Sequence, residues 1–256
     1  MHPTLLHYRI DGDGPRVVLL HPVGLDLSCF DALVTELGSR YRILRMDLRG
    51  HGRSRSMPGA SGLRDYVDDI HAVLNGLAFA PAIVAGFSFG GMLAQLLALE
   101  YPNDVHALVI SACPSTLTDE ARTIIAERGA RAEREGMAAV ADATMERWFT
   151  PSFRQQGGDG PTRRRLLSAD VMGWAQAWRA MAAIETAPRL ASIDVPTLCL
   201  AGEVDVSSPP HVVEAIARGI PGSRFAIVSG APHMLFIEQP HAVAAAIADF
   251  LDTCSS

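Results

Sequence analysis

The chain has no excess of positive charge: 22 basic against 28 acidic side chains leave a formal net charge of −6 over 256 residues. That balance excludes the phosphate-neutralising surface that nucleic-acid binding requires. Long apolar runs are missing as well. Val17 to Leu20 and Ala242 to Ala248 fall far short of the ~18 residues of a membrane span, so no membrane contact is expected. The opening Met1-His2-Pro3-Thr4 lacks the basic segment, apolar stretch and cleavage site of a secretion signal, and the expected compartment is the cytoplasm. Four cysteines, Cys29, Cys113, Cys199 and Cys254, form no C-x-x-C pair and have no histidine at ligand spacing. They are expected as reduced thiols, mostly buried. H-E-x-x-H, a G-x-G-x-x-G after the first strand and G-x-x-x-x-G-K-[ST] are all absent, so neither a metal nor a nucleotide cofactor is implied. The one dense basic cluster, Arg163 to Arg165, reads as a solvated helix face. There is no internal repeat and no low-complexity tract.

What is present is a regular alternation. After a strand-like Leu5 to Ile10, short aliphatic runs at Val17–Leu20, Ile43–Met46, Ala82–Gly86, Val105–Ile110, Thr197–Ala201 and Arg224–Val228 read as buried strands. Helical periods lie between and after them, at Ser28–Leu37, Leu63–Leu77, Gly90–Tyr101, Pro210–Arg218 and Gln239–Leu251. Strands alternating with helices make a mostly parallel sheet covered on both faces. The alternation stops after Ser111 and resumes near Val195. Between these points lie three helical segments: Thr118–Asp119 to just before Gly136, Met137–Trp148 and Ala169–Ile184. Gln155–Pro161 reads as a Gly-rich turn. The expected organisation is an α/β core, residues 1–114 and 192–256, with a helical cap, 115–191, inserted after the sixth strand.

Ile83 to Gly91 runs from a strand through Gly86-Phe87-Ser88-Phe89-Gly90 into an apolar helix. A G-x-S-x-G turn in that setting holds a serine hydroxyl exposed and requires small neighbours, which makes Ser88 the candidate nucleophile. In this arrangement the acid and then the histidine follow in chain order. The loop after Thr197–Ala201 offers Asp205, with Glu203 as a rival two residues away; the loop after Arg224–Val228 offers His233. Both loops leave the C-terminal ends of strands, where ligands gather in open α/β sheets. An oxyanion would need two backbone donors. Phe89, following the nucleophile, supplies one; in His21-Pro22-Val23-Gly24 the other must come from Val23, because Pro22 has no N–H. His21, and with it His51, Arg49 and Asp47 of Asp47 to Ser54, are expected to hold loops. His71, His106, His211 and His241 are expected at the surface.

With HPVG, DLRGHGRS, GFSFGG and the loops of Asp205 and His233 in register, the chain resembles the α/β-hydrolases over essentially its whole length. The segment Glu135 to Pro151, together with Val195-Pro196-Thr197 and Ile237-Glu238-Gln239-Pro240, is similar to 3-oxoadipate enol-lactonases. That resemblance implies cofactor-free hydrolysis of 3-oxoadipate enol-lactone in aromatic-compound catabolism, with Trp148 lining the substrate pocket. Because that substrate is an acid, Arg131, Arg134 and Arg147 are candidates to meet it. His21-Pro22 and Met234-Leu235-Phe236 depart from the lactonase pattern. A carboxylesterase or other lactonase on neutral substrates, a C–C bond hydrolase of ring-cleavage products and a non-catalytic small-ligand receptor are the alternatives. Trp174, Trp178 and Met181, spaced i, i+4, i+7, should form the apolar underside of the last cap helix.

Overall fold

Continuous apolar runs without a polar alternate face can only be satisfied by a sheet covered on both sides. In the computed structural model, which describes residues 6–54 and 61–254, two such runs, β4 (Ala82–Phe87) and β6 (Thr197–Gly202), are buried at every position. They belong to a seven-stranded sheet of order β1-β3-β2-β4-β5-β6-β7. Its other strands are β1 (Tyr8–Asp11), β2 (Arg16–Leu20), β3 (Arg42–Met46), β5 (Val105–Ser111) and β7 (Arg224–Val228). β1 is antiparallel to β3 and every other pairing is parallel. The core helices are α1 (Asp31–Leu37), α2 (Leu63–Gly76) and α3 (Phe89–Glu100), then, beyond the cap, α9 (Pro210–Gly219), α10 (Leu235–Glu238) and α11 (Pro240–Cys254). α1 packs on α11 and α2 on α3.

The insertion holds α4 (Asp119–Glu135), α5 (Met137–Trp148), α6 (Pro151–Gln155), α7 (Gly160–Leu167) and α8 (Val171–Met181). It leaves the sheet after β5, the fifth strand in chain order, rather than after a sixth. Among the described residues only β1 precedes β2, and the Gly- and Pro-containing turn from Gly12 to Pro15 between them is too short to hold another strand. The expected first strand begins at Leu5, which lies outside the described residues, as does the Met1–Thr4 segment. The expected Gly-rich turn is shorter than its sequence suggested. Thr150 caps α6 by accepting from the Phe153 N–H, and Pro161 at the start of α7 has no N–H to leave unpaired, so helix reaches into both ends of the segment.

α4 lies along α8, where Gly129 permits close approach: a Cβ there would sit 3.0 Å from the Ala175 carbonyl oxygen. Trp174, Trp178 and Met181 are buried as expected, but Trp178 and Met181 also face a cavity beneath the cap. The Arg163–Arg165 cluster divides. Arg163 pairs with Asp142 at 2.8 Å on an exposed face, whereas Arg165 donates to Ser28 Oγ at 2.7 Å and ties α7 to the core. No helix among the described residues is long and apolar enough to cross a membrane.

Candidate active site

The chain reaches outward from β2 to β3 and then reverses to β4, so β2 and β4 are neighbours whose following loops diverge. Ligands collect at such a switch point in open sheets. Here the two loops carry Val23 and Ser88.

Ser88 joins β4 to α3 with φ 54° and ψ −115°, a conformation that a side-chain-bearing residue adopts only under constraint. The constraint is backbone packing. A Cβ on Gly86 would lie 2.1 Å from the Gly90 carbonyl oxygen, and one on Gly90 would lie 2.0 Å from that of Leu20. The Ser88 N–H donates to Ser111 O at 2.8 Å, so the turn is also anchored to β5.

Ser88 donates its hydroxyl hydrogen to His233 Nε2 across 3.0 Å, and His233 Nδ1 donates to Asp205 Oδ2 across 2.8 Å. All three side chains are buried. The other Asp205 oxygen accepts the N–H groups of Ser207 at 2.7 Å and Ser208 at 3.0 Å. Burial works to raise the Asp205 carboxyl, but His233 and these two N–H groups outweigh it and hold the group below its usual value. The rival Glu203 is exposed and accepts from Ser229 and Gly230 instead, away from His233. Met234, next to His233, donates its N–H to Trp148 O at 3.0 Å, and Glu238 accepts the Thr150 N–H at 3.1 Å. The end of α5 is thereby latched to the histidine loop.

His21 holds the β2 loop. Its Nε2 accepts the Leu48 N–H at 2.9 Å, which leaves Nδ1 as the donor to Pro22 O at 2.7 Å. A trans peptide directs its C=O and N–H oppositely, so fixing the Pro22 carbonyl turns the Val23 N–H away from His21. That N–H has no backbone or side-chain acceptor among the described residues. Phe89 opens α3, so its N–H has no carbonyl within the helix to meet. His51 donates from Nδ1 to Arg49 O, Arg49 grips Asp69 at 2.7 Å, and Asp47 accepts from Leu27 and Arg53 N–H groups, all loop-holding contacts. His106, His211 and His241 are exposed; His71 departs from expectation by stacking on Tyr101 while bonding Asp104.

A cavity of about 60 Å³ opens above Ser88 and His233, lined also by Val23, Trp148, Trp178 and Arg128. A wider cleft of about 380 Å³ lies by His51 and Arg165, away from Ser88 and His233, and its serines, Ser28 and Ser168, bond to Asp26 and to the Arg165 carbonyl rather than to a histidine. Of the three arginines singled out in the sequence, Arg131 and Arg134 pair with Glu135 and Glu127 on the exposed side of α4, and Arg147 is half-buried near Arg128. Arg128 was missed; the signal was Gly129 beside it, a mid-helix glycine that marks the packed side of α4. No group of three or more His, Cys, Asp or Glu side chains suited to a metal is found among the described residues.

Residues 17–246 match the alpha/beta hydrolase family. The chain belongs to that family. This hydrolase is 30% identical over 244 residues to 3-oxoadipate enol-lactonase 1 of Acinetobacter baylyi, covering 92% of this chain and 88% of that protein. The crystal structure of the enol-lactonase from Burkholderia xenovorans LB400 superposes with a TM-score of 0.91 at 30% identity, covering 96% of each chain. A malate-bound thermophilic esterase from Thermogutta terrifontis superposes with a TM-score of 0.92 at 30% identity, covering 98% of this chain and 94% of that one.

Proposed function

We propose that this hydrolase opens a small lactone through an acyl-enzyme, with 3-oxoadipate enol-lactone as substrate and 3-oxoadipate as product, in cytoplasmic aromatic-compound catabolism. The observation that carries the reading is the buried hydrogen-bonded line Ser88–His233–Asp205 opening on a cavity at the switch point of the sheet. The similarity to two enol-lactonases supports the choice of lactone. In this reading the core, 1–114 and 192–256, carries the chemistry, and the cap, 115–191, covers it.

His233 Nε2 takes the Ser88 proton as Oγ attacks the lactone carbonyl. The oxyanion is held by the N–H groups of Val23 and Phe89, which need no reorganisation because their loops are already fixed. Collapse breaks the ring C–O bond. The leaving group is an enolate, which takes the proton from His233 as it becomes the ketone and so returns His233 to the neutral base. His233 then activates water to hydrolyse the ester on Ser88, and Asp205 keeps Nδ1 protonated and balances the imidazolium charge. Trp148 lines the side of the cavity over the substrate.

Purified protein should turn over the enol-lactone, and Ser88→Ala should lose about 10³-fold or more of kcat. Normal turnover by that variant would sink the scheme. Similarity to an esterase supports a second reading, a carboxylesterase on the same residues. Ser88-dependent cleavage of aryl esters with negligible lactone turnover would select it.

A further inference from the structure

We infer that Arg128 anchors a carboxylate carried by the substrate, so that this site selects acidic esters and lactones over neutral ones of the same shape. The inference rests on the reading of Ser88 and His233 as the reacting pair.

Cap arginines are ordinarily paired. Arg131 meets Glu135, Arg163 meets Asp142 and Arg122 meets Glu185, each within 3.0 Å. Arg128 differs in two respects: half-buried, it lines the cavity that holds Ser88 and His233, and it meets no carboxylate among the described residues. Its guanidinium lies instead over the Trp178 ring, 5.2 Å from the centroid. A cation–π contact of that kind offsets part of the desolvation of a cation but does not neutralise it.

A second half-buried guanidinium, Arg147, lies close enough for its charge to act on Arg128 and also has no acidic partner within ion-pair distance among the described residues. Burial, with Arg147 adding to it, pushes Arg128 down to about 10, so it remains charged at neutral pH. Glu146 acts on Arg147, which stands behind the lining, but no acidic group offsets Arg128, so a cation in the cavity wall facing a like charge is a standing cost unless an anion joins it. The Trp178 indole N–H adds an independent sign: it is buried and has no acceptor among the described residues. A carboxylate seated against this wall would supply both the missing countercharge and the missing acceptor. Arg suits this task because its planar donor fork matches a carboxylate and is less strongly hydrated than an ammonium.

The test uses 4-nitrophenyl esters of equal length that differ only in a terminal carboxylate or its methyl ester, together with acetyl esters of 3- and 4-hydroxybenzoate and their methyl-capped forms. The first pair places the charge on the acyl side and the second on the leaving group. Wild-type protein should prefer the acid form in at least one pair. Arg128→Gln should cut the acid-to-neutral ratio of kcat/KM by about tenfold or more, as expected for one charge-assisted hydrogen bond. Arg128→Lys should retain part of the ratio, and Trp178→Phe, which keeps the ring and removes the N–H, should lower it less than Arg128→Gln. Thermal shift of Ser88→Ala protein by adipate, lost on adding Arg128→Gln, gives a reading independent of turnover. No acid preference in wild type, or an equal fall on acid and neutral esters in Arg128→Gln, overturns the inference. Acid preference without enol-lactone turnover leaves Arg128 in place and removes only the proposed lactone.

Discussion

His51 and Asp205 are both buried, and their surroundings treat charge in opposite ways. Asp205 has three donors and stays ionised, whereas His51 has a backbone acceptor for Nδ1 and no partner for Nε2 among the described residues, and burial first and His21 second push it down to about 3. An unfolded chain protonates this imidazole near 6.5. Between about pH 6.5 and 3 the unfolded state therefore binds the proton and the folded state does not, so stability is fully present above the upper value and declines as pH falls. His21, also lowered by burial, acts in the same direction. Thermal unfolding followed from pH 7 to pH 3.5 should show a shallower acid decline in His51→Gln than in wild type, whatever the variant's absolute Tm. The difference should approach about 1.4 kcal/mol per pH unit at most. Equal slopes would mean that His51 opens to water on acidification.

At the scale of elements, cap and core are joined by short polar contacts as well as by packing. Gln95, on the helix that begins after Ser88, is the central one. Its amide donates to Pro114 O at 3.2 Å where the chain leaves for the cap, and its carbonyl accepts Thr186 Oγ1 at 2.6 Å where the chain returns. Gln95 and Thr186 are fully buried, so removing the Thr186 hydroxyl takes from the Gln95 carbonyl oxygen its donor. Thr186→Val should lower stability by about 1–3 kcal/mol in denaturant titration, with Thr186→Ser recovering most of it. Unchanged stability in Thr186→Val would show that the hydrogen bond contributes nothing. Neither partner was legible beforehand, because a glutamine in an apolar helix and a threonine in a loop are common and only their meeting gives them meaning. Ser88 was legible, since strand, small residues and helix are contiguous there and the strain of the turn is written into three adjacent steps of sequence.

For the whole molecule, the proposed role of the cap is to decide what reaches the serine. The cavity of about 60 Å³ beneath α4, α5 and α8 is smaller than the pockets of roughly 300–1,000 Å³ that take drug-sized ligands. A compact substrate follows. Across 4-nitrophenyl acetate, butyrate and octanoate, kcat/KM should fall by about tenfold or more at the long end, because extra methylenes must displace packed Trp148 and Trp178. Undiminished octanoate turnover would show that the cap opens widely. The chain contains no lysine and the cap no histidine, so the cations of the cap are arginines that stay charged even where partly buried.

Local order of residues was enough to determine the parallel sheet, the serine turn, the strand-end loops that carry Asp205 and then His233, and the run of helices between β5 and β6. Each of these depends on hydrophobic period or turn chemistry within about ten residues. Tertiary structure decided that Asp205 rather than Glu203 meets His233, that the cap departs after the fifth strand, and that Arg128 rather than Arg131 or Arg134 lies in the cavity wall. Those arginines share one helix and one chemistry, and only the close crossing of α4 on α8 determines which of them loses water and which keeps it.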